Sequence, residues 1–216
     1  MSDREPVNIM GVIAFPNPNK DERVIRFIDS EYHTLFTIKD GESIVITRFD
    51  GEKMVFPCKY IDDCHVCIGN SAYHICEFAE MQERSGNTYV PRTPKISAEI
   101  GTYEIYQIPA TADVDYYFRP YAEAKGKLQN ADYQRSYAGM FAKENSLEHL
   151  WAKHNSDHRP FARRMRSLSV SDVVVLTQAG KKTAYYTDSV GFKEVPEFLT
   201  QKHQEKNKHR ERGIER

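Results

Sequence analysis

The sequence has no apolar run long enough to cross a bilayer. Its longest buried-type stretch runs only from Val173 to Leu176, against the roughly 20 residues a spanning helix needs. The opening Met1-Ser2-Asp3-Arg4-Glu5-Pro6 lacks a basic segment leading into an apolar one, so no secretory leader and a cytoplasmic location are expected. Charge of one sign is also missing. Thirty Lys and Arg face 31 Asp and Glu, for a net charge of -1. That balance argues against a generic DNA coat or a membrane-surface protein. No Gly-x-x-x-x-Gly-Lys phosphate loop, no Gly-x-Gly-x-x-Gly dinucleotide turn, no Gly-x-Ser-x-Gly elbow and no internal repeat occurs. No cofactor is expected.

Cysteine is sparse and confined. Cys58, Cys64, Cys67 and Cys76 lie in one short segment, and in a reducing compartment they read as free thiols or metal ligands rather than disulfides. Cys64 and Cys67 have the gap of a zinc ligand pair, and His74 with Cys76 could supply a second. Against this, His74 and Cys76 are two apart and share one face of a strand, and buried Cys is an ordinary small hydrophobe. No Gly or Pro stands between Cys64 and Cys67 to form a knuckle. The core reading is therefore preferred over zinc.

What is present is enough for a core. The chain has 216 residues, 40% hydrophobic and 12% aromatic, which predicts one or two domains. The expected class is α+β in two small modules: a β-hairpin-rich N-terminal part with one helix, and a C-terminal mixed sheet with two or three helices. Residues 1–22 read as a strand or arm and residues 23–90 as the first module. There, Val24–Ile28 and Ser43–Phe49 are strands, and Asp50-Gly51 turns the second into Lys53–Phe56. His65–Ile68 and Ala72–Ile75 form another hairpin, and Cys76–Arg84 a helix stopped near Gly86. Residues 85–99, rich in turn-formers, read as a linker.

Residues 100–199 form the second module. Thr102–Ile108 alternates like a strand, while Pro120–Lys127 and Ser146–His154 look helical, with Ser146 as the cap. Asp172–Thr177 and Thr183–Asp188 form a hairpin across Gln178–Lys181, and Val195–Leu199 closes the unit. Residues 200–216 read as a charged tail.

Few constellations carry chemistry. Ser167, Ser169, Ser171 and Asp172 precede an apolar strand, and such side chains commonly bond nearby backbone to turn the chain. A cryptic hydrolase built on Ser169, Ser171, Asp172 and Asp188 with His158 is a third-ranked alternative. Arg159, Arg163, Arg164 and Arg166, with Lys202, Lys206, Lys208, Arg210, Arg212 and Arg216 of the tail, could touch phosphates, although Glu205, Glu211 and Glu215 offset the tail. Tyr103, Tyr106, Tyr116, Tyr117, Phe118, Tyr121, Tyr133, Tyr137, Tyr185 and Tyr186 are mostly core, with a few free to build a protein-binding face.

Five segments carry a resemblance: Tyr103–Ile108, Phe118-Arg119-Pro120-Tyr121, Ser167–Leu176, Tyr186-Thr187-Asp188-Ser189-Val190-Gly191-Phe192, and Val195–Phe198. In this order they resemble the YodL-like family over about residues 102–199, and His158-Arg159-Pro160-Phe161 suits the same pattern. Leu35–Ile38, Ile44–Arg48, Cys58-Lys59-Tyr60 and Tyr73–Glu80 resemble a small domain associated with large polyvalent proteins; Cys64 and Cys67 fall outside that pattern. The resemblances imply a protein of phages, plasmids or conjugative elements that helps the element against host defences. They imply no catalytic residues. They mark Ser169-Val170-Ser171-Asp172 and Asp188-Ser189 as a polar signature, serving as turn scaffold or binding site, with Ser167, Tyr186 and Phe192 as further motif or interaction residues. The expected function is thus a non-enzymatic interaction protein whose partner is a host or mobile-element protein, with nucleic acid as the alternative and no membrane.

Overall fold

The computed structural model describes residues 7–9, 12–14 and 23–200. The expected charged tail from Gln201 on, with its basic residues, lies outside the described residues. Strands β1 (Val7–Ile9) and β2 (Val12–Ala14) pair antiparallel. The chain divides into two compact units. One comprises the residues up to Gly101 together with Met140–Glu144, and the other Thr102–Gly139 and the residues from Asn145 onward.

In the first unit, β3 (Val24–Ile28) and β4 (Thr34–Lys39) form a hairpin. Beside it runs a five-stranded sheet from β5 (Ser43–Thr47), β6 (Lys53–Tyr60), β7 (His65–Ile68), β8 (Ser71–His74) and β9 (Thr88–Pro91), ordered β8-β7-β6-β5-β9. Ile44 and Ile46 point into the core while Ser43, Val45 and Thr47 stay half-exposed, the period-2 pattern of a strand with one buried face. Helix α1 (Ile75–Arg84) buries Ile75, Phe78, Ala79 and Gln82. His74 starts it by accepting the Cys76 N–H on its ring nitrogen at 3.3 Å, which satisfies one of the orphan amides of a helix start. The core is aromatic: Phe27 stacks on Phe36 at 4.9 Å and Phe78 meets Tyr89 edge-on at 5.1 Å.

Two expectations for this unit need correction. Residues 85–99 are not a bare linker. Thr88–Pro91 pairs antiparallel with β5, and Tyr89, only 2% exposed, donates its hydroxyl to the Ile28 carbonyl at 2.6 Å. Pro94–Glu99 is then a second short helix, α2, so the described residues of the unit hold two helices rather than one. A strand of Thr-Tyr-Val-Pro has too little local pattern to announce itself; its pairing with β5 is a tertiary event. Strand β6 also runs past Phe56 and through Pro57, because Cys58 exchanges backbone bonds with Gly41 and Glu42 beyond it.

The second unit is a sheet of β10 (Thr102–Gln107), β11 (Gln134–Met140), β12 (Val173–Gln178), β13 (Lys181–Thr187) and β14 (Phe192–Glu194), ordered β11-β10-β12-β13-β14. The β10–β12, β12–β13 and β13–β14 pairs are antiparallel. Central β12 buries Val173, Val174, Val175 and Leu176. Its turn to β13 places Ala179 and Gly180 at φ +47° and +74°, as a primed hairpin turn requires. Among the described residues three α-helices complete the unit: α3 (Tyr121–Ala124), shorter than the Pro120–Lys127 expectation, α4 (Leu147–Asn155) and α5 (Glu197–Thr200). Ser146 caps α4 by accepting the His149 N–H at 3.1 Å.

Within this core, His154 is fully buried against Tyr103 and Tyr137 and shares a 2.8 Å hydrogen bond through Nε2 with the Tyr103 hydroxyl. Burial pushes its imidazole down to about 3, with Lys153 and Arg159 adding to the effect. The fold holds it neutral while the unfolded chain protonates it near its ordinary 6.5. Its contribution to stability is therefore fully present above that value and is lost as pH falls toward 3. The stability difference between wild type and His154→Gln should shrink steadily as pH is lowered through this window. Urea denaturation at a series of pH values measures it; a constant difference would contradict a buried neutral imidazole.

Candidate functional site

The loop that enters β12 is wrapped around one carboxylate. Asp172 has no exposed surface. Its Oδ2 accepts from Gln107 Nε2 at 2.9 Å, Ser169 N–H at 2.9 Å and Arg166 Nη1 at 2.7 Å, while Oδ1 accepts from Arg166 Nη2. Burial pushes the carboxyl up to about 6; the Arg166 guanidinium, Gln107 and the Ser169 amide pull against that rise. A bidentate guanidinium is the partner best shaped to keep such a carboxylate ionised. Arg166 Nη1 and Gln107 Nε2 also reach the Ser167 carbonyl, at 3.2 and 3.3 Å.

Next to Asp172, Ser171 holds φ +77°, a left-handed conformation that side-chain-bearing residues seldom adopt. Three bonds enforce it. Its N–H donates to Thr187 O at 3.0 Å, its carbonyl accepts the Tyr133 hydroxyl at 2.9 Å, and its Oγ accepts the Phe118 N–H at 3.0 Å. Phe118 is itself left-handed, at φ +58°. The loop on either side of it is fastened by Tyr186, whose hydroxyl donates to Arg119 O at 2.7 Å, and by Asp188, which accepts the Tyr121 N–H at 3.1 Å.

The outcome is an aromatic platform. Phe118 is 50% exposed and stacks on half-buried Tyr117, with centroids 4.0 Å apart and planes inclined at 21°. The Arg166 guanidinium lies 4.9 Å from the Phe118 ring and 5.6 Å from that of Tyr117, within cation–π range. Left-handed backbone at Ser171 and Phe118 thus holds a stack whose outer ring, Phe118, is exposed.

The residues singled out from sequence separate clearly. Ser171, Asp172 and Tyr186 come together but are buried, and serve as scaffold. Ser167 contributes its carbonyl, and the Ser169 hydroxyl donates to that carbonyl at 3.3 Å. Ser189 is exposed and bonds Asp188 through N–H and Oγ, while Phe192 is half-buried at the start of β14 opposite Thr187. The Ser169 and Ser171 hydroxyls are thus spent on backbone groups, and His158 is exposed. The basic patch also divides. Arg166 is tied to Asp172, Arg159 is half-buried, and Arg163 and Arg164 are exposed, Arg164 lying 5.4 Å from the Phe161 ring. Gln107, Tyr133 and the pairing of Arg166 with Asp172 have no local sequence signature.

The thiols do not assemble a zinc site. Cys58 is buried, with its thiol pushed up to about 11 by burial; Cys64 is exposed, and His74 is occupied as the α1 cap. Among the described residues, the potential ligands that do converge in a group of three are Asp29, Glu31 and His33.

Comparison with known families adds one result. Residues 102–198 match the model of the YodL-like domain. No curated protein and no solved structure matches the chain. The YodL-like segment runs from the first residue of β10 into α5 and contains both the buried Asp172 and the exposed platform.

Asp172→Ala should cost about 3 kcal/mol, the low end for breaking a buried pair, because Arg166, 27% exposed, can still turn to water. Asp172→Asn, which retains acceptors for Ser169 and Gln107, should cost less. Equilibrium urea unfolding checks the order; equal, negligible losses would contradict the central place given to Asp172.

Proposed function

We propose that the chain is a non-enzymatic interaction protein of a phage or other mobile element, and that its YodL-like unit binds a host protein through the Tyr117–Phe118 platform. The observation that carries this reading is a half-exposed Phe118 held in a left-handed backbone by Ser171 and flanked by a guanidinium fixed on a buried carboxylate. Large rigid aromatics with Arg beside them are the usual anchors of protein interfaces. Because the loop is already fastened at Arg119 and Tyr121, little ordering entropy is lost on docking. The backbone-bonded hydroxyls of Ser169 and Ser171 support binding over turnover.

The mobile-element setting and a counter-defence role follow from the resemblance of the second unit to YodL-like domains and of the first to domains of large polyvalent proteins. Exposed Arg163 and Arg164 favour nucleic acid as a second reading, one that predicts binding with a steep salt dependence.

Affinity capture from bacterial lysate with tagged wild type and Phe118→Ala, washed at low and high salt, tests the proposal. A protein retained by wild type at high salt and bound about 30-fold more weakly by the variant, the effect of a hot spot worth about 2 kcal/mol, is the expected result. Nucleic acid recovered only at low salt, in equal amounts by both proteins, would replace it with the second reading.

A further inference from the structure

A cavity of about 260 Å³ opens between the five-stranded sheet of the first unit and helix α1. Ile46, Met54, Phe56 and Tyr73 line it from the sheet, and Phe78 and Met81 from the helix. Ile46 pairs with Met54 across β5 and β6, and Phe56 follows two residues on, so the three share one face. Tyr73 and Phe78 meet edge-on at 5.7 Å. Ile46 is 6% exposed and belongs to the core, whereas Met81 is 41% exposed, so the cavity is floored by the core and open to solvent on one side. Its volume lies just under the about 300 Å³ at which clefts for drug-sized ligands begin, and thioether walls adapt readily to the shape of what enters.

A buried donor in this lining is left unmatched. Gln82 lines the cavity and is only 4% exposed. Asn87 fixes which way its amide faces. Asn87 Oδ1 accepts the Phe49 N–H at 3.1 Å, so Nδ2 is the atom that donates to Gln82 Oε1, at 2.9 Å. Gln82 Nε2 then has two hydrogens and no hydrogen-bond partner among the described residues. So deeply buried a side chain with an idle donor costs stability unless an acceptor comes from outside the chain. Arg48 lines the same cavity, but its guanidinium is already opposed by Glu52 at 2.9 Å and Asp50 at 3.5 Å. Those carboxylates repel an anionic head; a neutral carbonyl meets no such repulsion.

We propose that this cavity binds a small molecule made of an apolar body, about the size of one aromatic ring, and a neutral carbonyl head of the amide or ester class. The body packs among Phe56, Tyr73, Phe78 and the two methionines, and the carbonyl oxygen accepts from Gln82 Nε2. Binding is non-covalent. The site lies wholly within the first unit and does not rest on the reading of the Tyr117–Phe118 platform.

Methionine-methyl NMR of the full chain, with acetanilide as the probe, tests the assignment. The Met54 and Met81 methyl signals should shift saturably, while that of Met165, in the second unit, stays in place. Phenylacetate, of similar size but with a carboxylate head, should bind more weakly. Gln82→Met, which removes the donor and keeps the side-chain length, should weaken acetanilide binding about tenfold. Met54→Trp, at a half-buried position, should fill the cavity and abolish the Met81 shift, and it keeps the test valid should Gln82→Met disturb the contact with Asn87. Phe118→Ala should bind acetanilide as wild type does, which separates this site from the platform. Absence of saturable shifts, phenylacetate binding as tightly as acetanilide, or wild-type affinity in both cavity variants would overturn the assignment.

Discussion

A carboxylate without exposed surface governs the second unit. Asp172 is carried into the core at the start of β12, and its burial would be prohibitive without partners. Arg166, Gln107 and the Ser169 amide meet it from three directions. To do so, the chain from Arg166 to Asp172 must close into a tight loop, and that closure drives Ser171 into left-handed geometry. Ser171 in turn fixes Phe118, and Arg166, pinned by its ion pair, lies against the Tyr117–Phe118 stack. One electrostatic requirement thus propagates from the core to a surface feature.

Much of the frame was legible in the sequence because its signals are local. Val173–Leu176 announces a buried strand, Ser146 caps a helix, and Asp50-Gly51 turns a hairpin. The parts that escaped depend on distant partners. In β11, Gln134–Met140 places Ser136, Tyr137, Ala138 and Gly139 inside, and small residues carry little strand propensity of their own. Gly139 is small for a reason visible only in three dimensions: a Cβ there would lie 2.8 Å from the Tyr137 ring and 2.9 Å from that of Tyr103. Strand β9 exists because β5 accepts it, with Tyr89 filling the core beneath.

The site was half legible. Ser and Asp before an apolar strand suggest backbone-bonding turns, and Ser169, Ser171 and Asp172 do bond backbone groups. That Arg166 would serve Asp172 rather than a basic patch could not be read from a six-residue separation within irregular backbone. Nor could the positive φ of Phe118, since nothing in a Tyr-Phe-Arg-Pro stretch demands it. The match of residues 102–198 to the YodL-like domain covers both the scaffold and the platform, which makes their coupling the feature to test.

Amide hydrogen exchange at Phe118, compared between wild type and Asp172→Asn, addresses that coupling most directly. If the buried pair positions the platform, the Phe118 amide, protected in wild type by Ser171 Oγ, exchanges much faster in the variant while the amides of β12 and β13 stay protected. Unchanged protection at Phe118 would show that the platform holds its shape independently of Asp172, and would contradict the account.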